Sequence, residues 1–241
     1  MRIEKYTSKD FKDSIDKSNI IIIPIGSLEA HGDHMPLGTD IFAPRMFCEG
    51  VEERIGEKVW IAPEIPYGQS NDLSVYPGTV TVPSTVFAEY LFHVGKSFYD
   101  NGLIKIVFMN GHGGNITALN LAAEKLAAIG ATVIIINWWM DFLEEILKIT
   151  ETRGHGGEDE TSAMLYYDEK LVKMDRVKVN RNKPLFRVYF KDRGKILMKH
   201  GITGDPTNAT KEKGQKIFDV VKKKIVERIE LLIEDKYFET L

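Results

Sequence analysis

Short apolar runs alternate along the chain with longer segments of helical periodicity. The first run, IIIIPI, is rich in the β-branched residues that strands favour, and it is too short to cross a membrane. Strands are predicted at 20–25, 59–65, 104–109 and 132–137. Helices are predicted at 9–18, 43–55, 86–101, 116–129, 141–149, from about 160, and at 211–233.

This alternation predicts an α/β fold, a three-layer α/β/α arrangement around a mostly parallel sheet. Weaker patterns indicate a hairpin or edge strand at 79–82 and a short strand at 186–190. No linker, repeat or shift in composition interrupts the pattern, so we expect a single domain over 1–241. Right-handed crossovers place the carboxyl ends of parallel strands along one edge of the sheet, where we expect the functional loops.

Composition narrows the classes of partner. The chain has 241 residues and a formal net charge of −3, which argues against a nucleic-acid partner. No apolar run approaches the length of a membrane-spanning helix, and the N-terminal residues lack a secretory pattern. Cys48 is the one cysteine, which fits a reducing cytoplasm.

The loop after the first strand carries several acidic and imidazole side chains. Glu29 and His31 are two residues apart, so in an extended segment they point to the same face. Asp40 follows after a loop that glycine and proline allow to fold back. His34 is interpreted as a bystander, and Asp40 taken alone is also typical of a residue that caps the next helix.

Later loops carry further groups of the same kind. His112 follows the third strand between glycines, and His155, Glu158 and Glu160 follow the fourth. We expect these side chains to converge with those of the first loop on one edge of the sheet. Imidazoles and carboxylates in this combination suit Zn²⁺, Mn²⁺ or Fe²⁺, and a cation would offset the like charges.

Four sequence blocks resemble the creatininase (creatinine amidohydrolase) family, in the family's order and spacing. They are GSLEAHGDHMPLGTD at 26–40, YPGTV at 76–80, NGHGGN at 110–115 and HGGEDETS at 155–162. The resemblance implies a creatininase-like fold, a hydrolase of C–N bonds other than peptide bonds, two divalent cations per subunit with Zn²⁺ favoured, and a homo-hexamer.

The resemblance also implies ligands. Glu29, Asp40 and His112 are expected to bind one metal, and His31 and Asp40 the other, with Asp40 bridging. In creatininase proper a glutamate at the position of Gly114 completes the second site. Here Glu158 is predicted to replace it, with Glu160 as the fallback ligand or a catalytic partner.

The implied reaction is attack of a metal-bridging hydroxide on the carbonyl carbon of a small cyclic or linear amide. His155 matches the family's catalytic histidine and is expected to move the proton to the leaving nitrogen. The candidate substrate contacts are Ser70, Gly113, Gly114 and Trp138. Trp138 can equally be a core or interface residue.

Two alternatives stay open. One is a deformylase of the same family, acting on a formamidopyrimidine nucleotide in archaeal flavin and deazaflavin synthesis. Its phosphate would need basic side chains, for which Arg45, Arg153 and Lys199 are candidates. The other is a non-catalytic module that binds a metal or another ligand, with protein groups at every coordination position.

Overall fold

The computed structural model describes residues 1–15, 18–182 and 188–237. Within them, four strands form one parallel sheet in the order β2-β1-β3-β4. The strands are β1 (Ile20–Ile25), β2 (Trp60–Ile61), β3 (Lys105–Asn110) and β4 (Thr132–Asn137). The register aligns Ile25 with Asn110 and Asn110 with Asn137, so β1, β3 and β4 end side by side.

Helices alternate with the strands along the chain, and α1 precedes β1. They are α1 (Ser8–Ser14), α2 (Thr39–Ile55), α3 (Ser84–Asp100), α4 (Ile116–Ala128), α5 (Trp138–Asp141), α6 (Leu143–Ile146), α7 (Glu158–Asp168), α8 (Arg193–Leu197) and α9 (Lys211–Ile233). No helix in the described ranges combines the length and apolarity needed to span a bilayer.

The sheet separates two apolar layers, which confirms the predicted α/β fold. Successive side chains of a strand point to opposite faces, and β1 shows this clearly. Ile20 and Ile22 pack with α2, α7 and α9, whereas Ile21, Ile23 and Ile25 pack with α3 and α4. Buried on both faces, β1 therefore fixes its own register and positions the loop that follows it.

The first turn of α2 lies directly against the strand ends. Pro44 has no N–H, so the carbonyl oxygen of Asp40, four residues earlier, does not receive the usual helical hydrogen bond. The backbone of Gly111, just after β3, approaches the same oxygen, and a Cβ at Gly111 would lie 2.1 Å from it. The absence of a side chain at Gly111 thus lets Asp40 reach the edge of the sheet.

Several elements differ from prediction. β2 covers Trp60–Ile61 instead of 59–65 because Pro63 cannot donate to a ladder, although Ile65 still forms an isolated bridge to Ile25. The edge strand expected at 79–82 is an isolated bridge between Gly68 and Thr81.

Predicted helices differ at their ends. Helix 141–149 is replaced by α5 and α6, and α7 begins at Glu158 instead of about 160. Thr7 caps α1, accepting from Asp10 N at 3.2 Å. Positions 16 and 17 of the predicted first helix and 183–187, which include the start of the predicted strand 186–190, lie outside the described residues; 188–190 contain no strand.

Candidate metal centre

A network of three asparagines, Asn110, Asn115 and Asn137, joins the carboxyl ends of the strands; we call it the asparagine brace. Asn110 Nδ2 donates to Asn137 Oδ1 and to the carbonyl of His112, each at 2.8 Å. Asn115 Nδ2 donates to the carbonyl of Gly26 at 3.0 Å. Sequence reasoning missed these roles, although an asparagine at the end of two strands and within NGHGGN was the available signal. The brace holds the loops after β1, β3 and β4 together.

The first group of candidate ligands is Glu29, Asp40 and His112. His112 Nδ1 lies 2.9 Å from Asp40 Oδ2, and His112 Nε2 lies 3.1 Å from Glu29 Oε2. One ligand atom from each residue lies within 4.8 Å of the others. These three residues come from the loop after β1, the first turn of α2 and the loop after β3.

The second group is His31, Asp40 and Glu160. His31 Nε2 lies 3.0 Å from Asp40 Oδ1 and 3.7 Å from Glu160 Oε2. Asp40 therefore presents one oxygen to each group, as expected of a carboxylate that bridges two cations. Glu160, in the first turn of α7, also accepts from Gly156 N at 2.8 Å.

His155 lies next to both groups. Its Nδ1 is 3.5 Å from Glu29 Oε1, and its ring centroid is 4.1 Å from that of His31. Glu29, His31 and His155 also have ligand atoms within 4.8 Å of one another. His34 lies apart, with Nε2 at 3.0 Å from Thr161 Oγ1, in keeping with its interpretation as a bystander.

Main-chain carbonyls assign the tautomers of the three imidazoles in the cluster. His31 Nδ1 faces Glu29 O at 3.1 Å, His112 Nε2 faces Gln69 O at 2.8 Å, and His155 Nε2 faces Ala30 O at 2.8 Å. A carbonyl only accepts, so each of these nitrogens carries the proton. In a neutral ring the other nitrogen has a bare lone pair, and in all three rings it points towards a carboxylate of the cluster.

Two buried carboxylate oxygens in the cluster accept no hydrogen bond. They are Glu29 Oε1, which faces His155, and Asp40 Oδ2, which faces His112. Lone pairs directed at each other are stabilised when a cation lies between them or when the ring gains a second proton. The donor set and these unpartnered oxygens fit divalent cations.

Without a cation, protons balance the carboxylates. Burial opposes the charged imidazole, but Asp40, then Glu160 and Glu29, raise the pKa of His31 to about 9. Burial likewise opposes charge at His112, where Glu29 and Asp40 raise the pKa well above its usual value. Burial raises the pKa of Glu160 to about 8, against the opposing effect of His31.

His155 differs electrostatically from the other two rings. Burial, and then the nearby His31, lower the pKa of His155 to about 4. His155 is therefore neutral near pH 7, with the Nδ1 lone pair free to take a proton.

Glu158, predicted as a ligand, lies outside the cluster. Glu158 Oε1 pairs with Lys213 Nζ at 2.5 Å, and Oε2 accepts from the N–H groups of Glu151 and Thr152, each at 2.9 Å. Its neighbour two positions along α7, Glu160, takes the place beside His31 and Asp40. The prediction for Glu158 is wrong, and the fallback residue is the one at the cluster.

The structure also explains why no ligand comes from position 114. A Cβ at Gly114 would lie 2.0 Å from the carbonyl oxygen of Gln69 and 2.4 Å from His112 Nε2. The same Gln69 carbonyl fixes the tautomer of His112. A side chain at Gly114 would therefore disturb the His112 ring and its contact with the Gln69 carbonyl.

A cavity of about 610 Å³ opens onto the cluster. Gly113, Gly114 and Ser70, three of the predicted substrate contacts, line it. The Ser70 hydroxyl, however, donates to Glu29 Oε2 and is 2.5 Å from Ser27 Oγ. Ser70 thus positions a candidate ligand and has no free proton for a substrate. The serine pair was not predicted.

Trp138 is a core residue. It is 2% exposed and packs against Phe47, whereas its neighbour Trp139 lines the cavity. The predicted substrate contact Trp138 therefore does not reach the cavity, because the two rings at the start of α5 point to different sides. Of the three basic candidates for a phosphate, Arg45 pairs with Glu64, Lys199 lies outside the cavity lining, and Arg153 lines the cavity.

Comparison with known proteins identifies relatives of this chain. The family profile described as creatininase, creatinine amidohydrolase, matches residues 4–229. A mycofactocin precursor peptide peptidase of Mycolicibacterium smegmatis is 31% identical over 206 residues, covering 83% of this chain and 79% of that protein. A creatinine amidohydrolase of Pseudomonas putida is 28% identical over 233 residues, covering 87% and 88%.

Solved structures show the same fold. A crystal structure of creatinine amidohydrolase superposes with a TM-score of 0.82 at 25% identity, covering 96% of this chain and 97% of that one. A creatininase described with Mn and a mutant creatininase of Zn–Zn type superpose with TM-scores of 0.81 and 0.80, each at 26% identity over 95% of this chain and 98% and 97% of theirs.

Proposed function

We propose that this chain, which belongs to the creatininase family, hydrolyses a C–N amide bond at a centre that binds two divalent cations. The observation that carries the proposal is the set of three imidazoles whose N–H groups are directed at main-chain oxygens. Their bare nitrogens then face the buried carboxylates of Glu29 and Asp40. Lone pairs arranged in this way would be stabilised by bound cations.

The two groups that share Asp40 are the proposed ligands. Glu29, Asp40 and His112 would hold one cation, and His31, Asp40 and Glu160 the other. When bound, such a pair supplies a water nucleophile ionised near neutral pH and polarises the amide carbonyl. Zn²⁺ is the first choice and Mn²⁺ or Fe²⁺ the next, which the Zn–Zn and Mn descriptions of related creatininases support.

The remaining residues of the site would move the proton and stabilise charge. His155 Nδ1 would accept a proton from the attacking water and transfer it to the leaving nitrogen, since its ring is neutral near pH 7. The backbone N–H groups of Gly113 and Gly114, at the cavity wall, would stabilise the charge that develops on the carbonyl oxygen.

The substrate is proposed to be a small cyclic or linear amide. A peptide is the second candidate, because the cavity shares Gln69, Asn71 and Gly113 with a neighbouring cavity of about 620 Å³, and a related protein is named as a peptide peptidase. The deformylase alternative also involves a C–N bond. A non-catalytic module is less well supported, since an open cavity reaches the cluster.

We further propose that the chain assembles as a homo-hexamer, following its family. Size-exclusion chromatography with light scattering tests the assembly.

Metal analysis and an amide screen test the proposed function together. The purified protein should contain two divalent ions per chain, and a screen of cyclic amides, linear amides and short peptides should reveal hydrolysis. Asp40→Ala should release both ions because both groups lose a ligand. His155→Ala should keep both and lose about 10²–10⁴-fold in kcat.

Asp33→Ala is the matched control, since Asp33 is exposed in the same loop. It should keep both ions and full activity. Two ions retained by Asp40→Ala would contradict the bridging role, and metal loss in His155→Ala would make His155 a ligand instead of a proton carrier.

A further inference from the structure

Arg153 is exposed and lines the cavity that opens onto the candidate metal centre. Within residues 1–15, 18–182 and 188–237 its guanidinium makes no hydrogen bond or ion pair, and its charge acts only at longer range on Asp159. We propose that Arg153, assisted by Thr203, forms an anion subsite that binds a carboxylate or phosphate on the substrate.

The backbone that carries Arg153 is fixed on both sides. Glu158 accepts from the N–H of Thr152 at 2.9 Å, and Asp159 accepts from the N–H of Gly154 at 3.2 Å. On the opposite side, His155 and Thr203 exchange two hydrogen bonds, at 2.8 and 3.1 Å. Two acidic residues in the first turn of α7 thus hold the loop, so the guanidinium extends from a pre-organised backbone.

Thr203 offers a second donor at the same wall. Its Oγ1 accepts from the N–H of His155, so its hydroxyl proton is free to donate to another acceptor. Thr203 also lines the cavity with Arg153. A guanidinium and a hydroxyl on one wall are donors that suit the oxygens of a carboxylate or phosphate.

Carboxylates near Arg153 already have hydrogen-bond or ion-pair partners. Asp159 is buried and accepts from the N–H of Gly154 at 3.2 Å. Asp72, elsewhere on the cavity wall, pairs with Arg193. Two divalent cations would offset the three carboxylates of their ligands and a bound hydroxide, so the loaded centre would not repel an anionic group held by Arg153.

The position of Arg153 also orients the substrate. This step rests on the proposed function, in which His155 gives its proton to the leaving nitrogen. Arg153 is two residues from His155 on the same loop, so the anion belongs to the amine part of the substrate. The substrate class is then an acylated amine that bears an anionic group, such as an N-acyl amino acid, a peptide ending in a free carboxylate, or an acylated aminoalkyl phosphate.

Matched amides test the subsite. For each acyl group, three substrates are compared on the metal-loaded enzyme: the N-acyl amino acid, its neutral carboxamide and the corresponding aminoalkyl phosphate. Wild type should prefer an anionic member by about tenfold or more in kcat/KM. Whichever of the two anionic substrates has the higher kcat/KM relative to the neutral carboxamide shows whether the subsite favours a carboxylate or a phosphate.

Variants assign the preference to Arg153. Arg153→Gln should raise KM about tenfold for the anionic member, with little change in kcat or in KM for the neutral one, and Arg153→Lys should retain part of the preference. Lys199→Gln, an exposed change outside the cavity lining, should behave as wild type. The proposal would be overturned if wild type had equal kcat/KM for the anionic and neutral substrates. It would also be overturned if Arg153→Gln kept the wild-type ratio of these two kcat/KM values.

A binding measurement separates this inference from the proposed function. If no amide in the screen is hydrolysed, the proposed function fails, and calorimetric titration of the loaded protein with glycylglycine and with inorganic phosphate still tests the subsite. One of these probes should bind about tenfold more weakly to Arg153→Gln than to wild type or Lys199→Gln. Unchanged affinity for both probes would refute it.

Discussion

At the residue scale, the candidate metal centre depends on the different partners of the two nitrogens in each imidazole ring. One nitrogen donates to the main chain, and the other faces a carboxylate. The sequence predicted the participation of His31, His112 and His155, because each follows the end of a strand at the shared edge. It could not predict which nitrogen is free, since that depends on carbonyls of Glu29, Gln69 and Ala30 that only the folded loops bring close.

Metal uptake should release protons. The pKa of His31 is raised to about 9 and that of Glu160 to about 8 without a cation, so at pH 7 both carry protons that a cation must displace. Affinity should therefore fall as the pH decreases, by roughly tenfold per pH unit for each displaced proton.

Calorimetric titration of Zn²⁺ at pH 7 in two buffers of different ionisation enthalpy measures the number of protons released. His93→Gln, an exposed change, should release as many as wild type. Binding without proton release would contradict the assignment of the raised pKa values to these ligands.

At the element scale, helical phase decides which side chains reach the site. The sequence predicts this helix from about 160, but α7 begins at Glu158, so Glu158 and Glu160 share its first turn. Residues two apart in a helix point to different sides. Only the packing of α7 against α9 shows that Glu158 faces Lys213 and Glu160 faces His31. Three strands were predicted within one residue of their ends because they are apolar and regularly spaced, whereas β2 was overextended through Pro63.

The contact of α2 with β3 gives a prediction at this scale. Gly111→Ala should lower the free energy of unfolding by about 1–3 kcal/mol and reduce metal content, because its Cβ would lie 2.1 Å from the Asp40 carbonyl. Urea denaturation and metal analysis measure the two effects.

Gly113→Ala is the matched control two positions away. The nearest atom to a Cβ there is Trp139 Cζ2 at 3.8 Å, an ordinary contact. Its stability should stay within about 1 kcal/mol of wild type. Equal effects of the two alanines would show that Gly111 does not set the position of Asp40.

At the scale of the whole molecule, stability and chemistry use neighbouring carboxylates of α7. Burial opposes the charge of Glu158, but Lys213 and the backbone of Thr152 and Glu151 lower its pKa. The pair's contribution is therefore present above the carboxyl's usual pKa and is lost as the pH falls. Glu158 joins α7 to α9, while Glu160 faces the cluster.

Neutralising Glu158 and Glu160 one at a time should separate the effect on stability from the effect on metal binding. Glu158→Gln should lower the free energy of unfolding at pH 7 by about 1–3 kcal/mol and keep both ions, because it weakens the contact with Lys213. Glu160→Gln should bind one ion fewer. Denaturation curves and elemental analysis test both variants. Loss of an ion from Glu158→Gln would show that Glu158 is a metal ligand after all.

The use of main-chain oxygens to orient the three rings has an evolutionary consequence. A carbonyl persists whatever side chain its residue carries, so Gln69 and Ala30 can be replaced without turning an imidazole around. The hydrolytic centre can thus be inherited intact while the surrounding wall, including Arg153 and Trp139, changes from one lineage to the next. Relatives with one catalytic apparatus and dissimilar substrates are what such an arrangement allows.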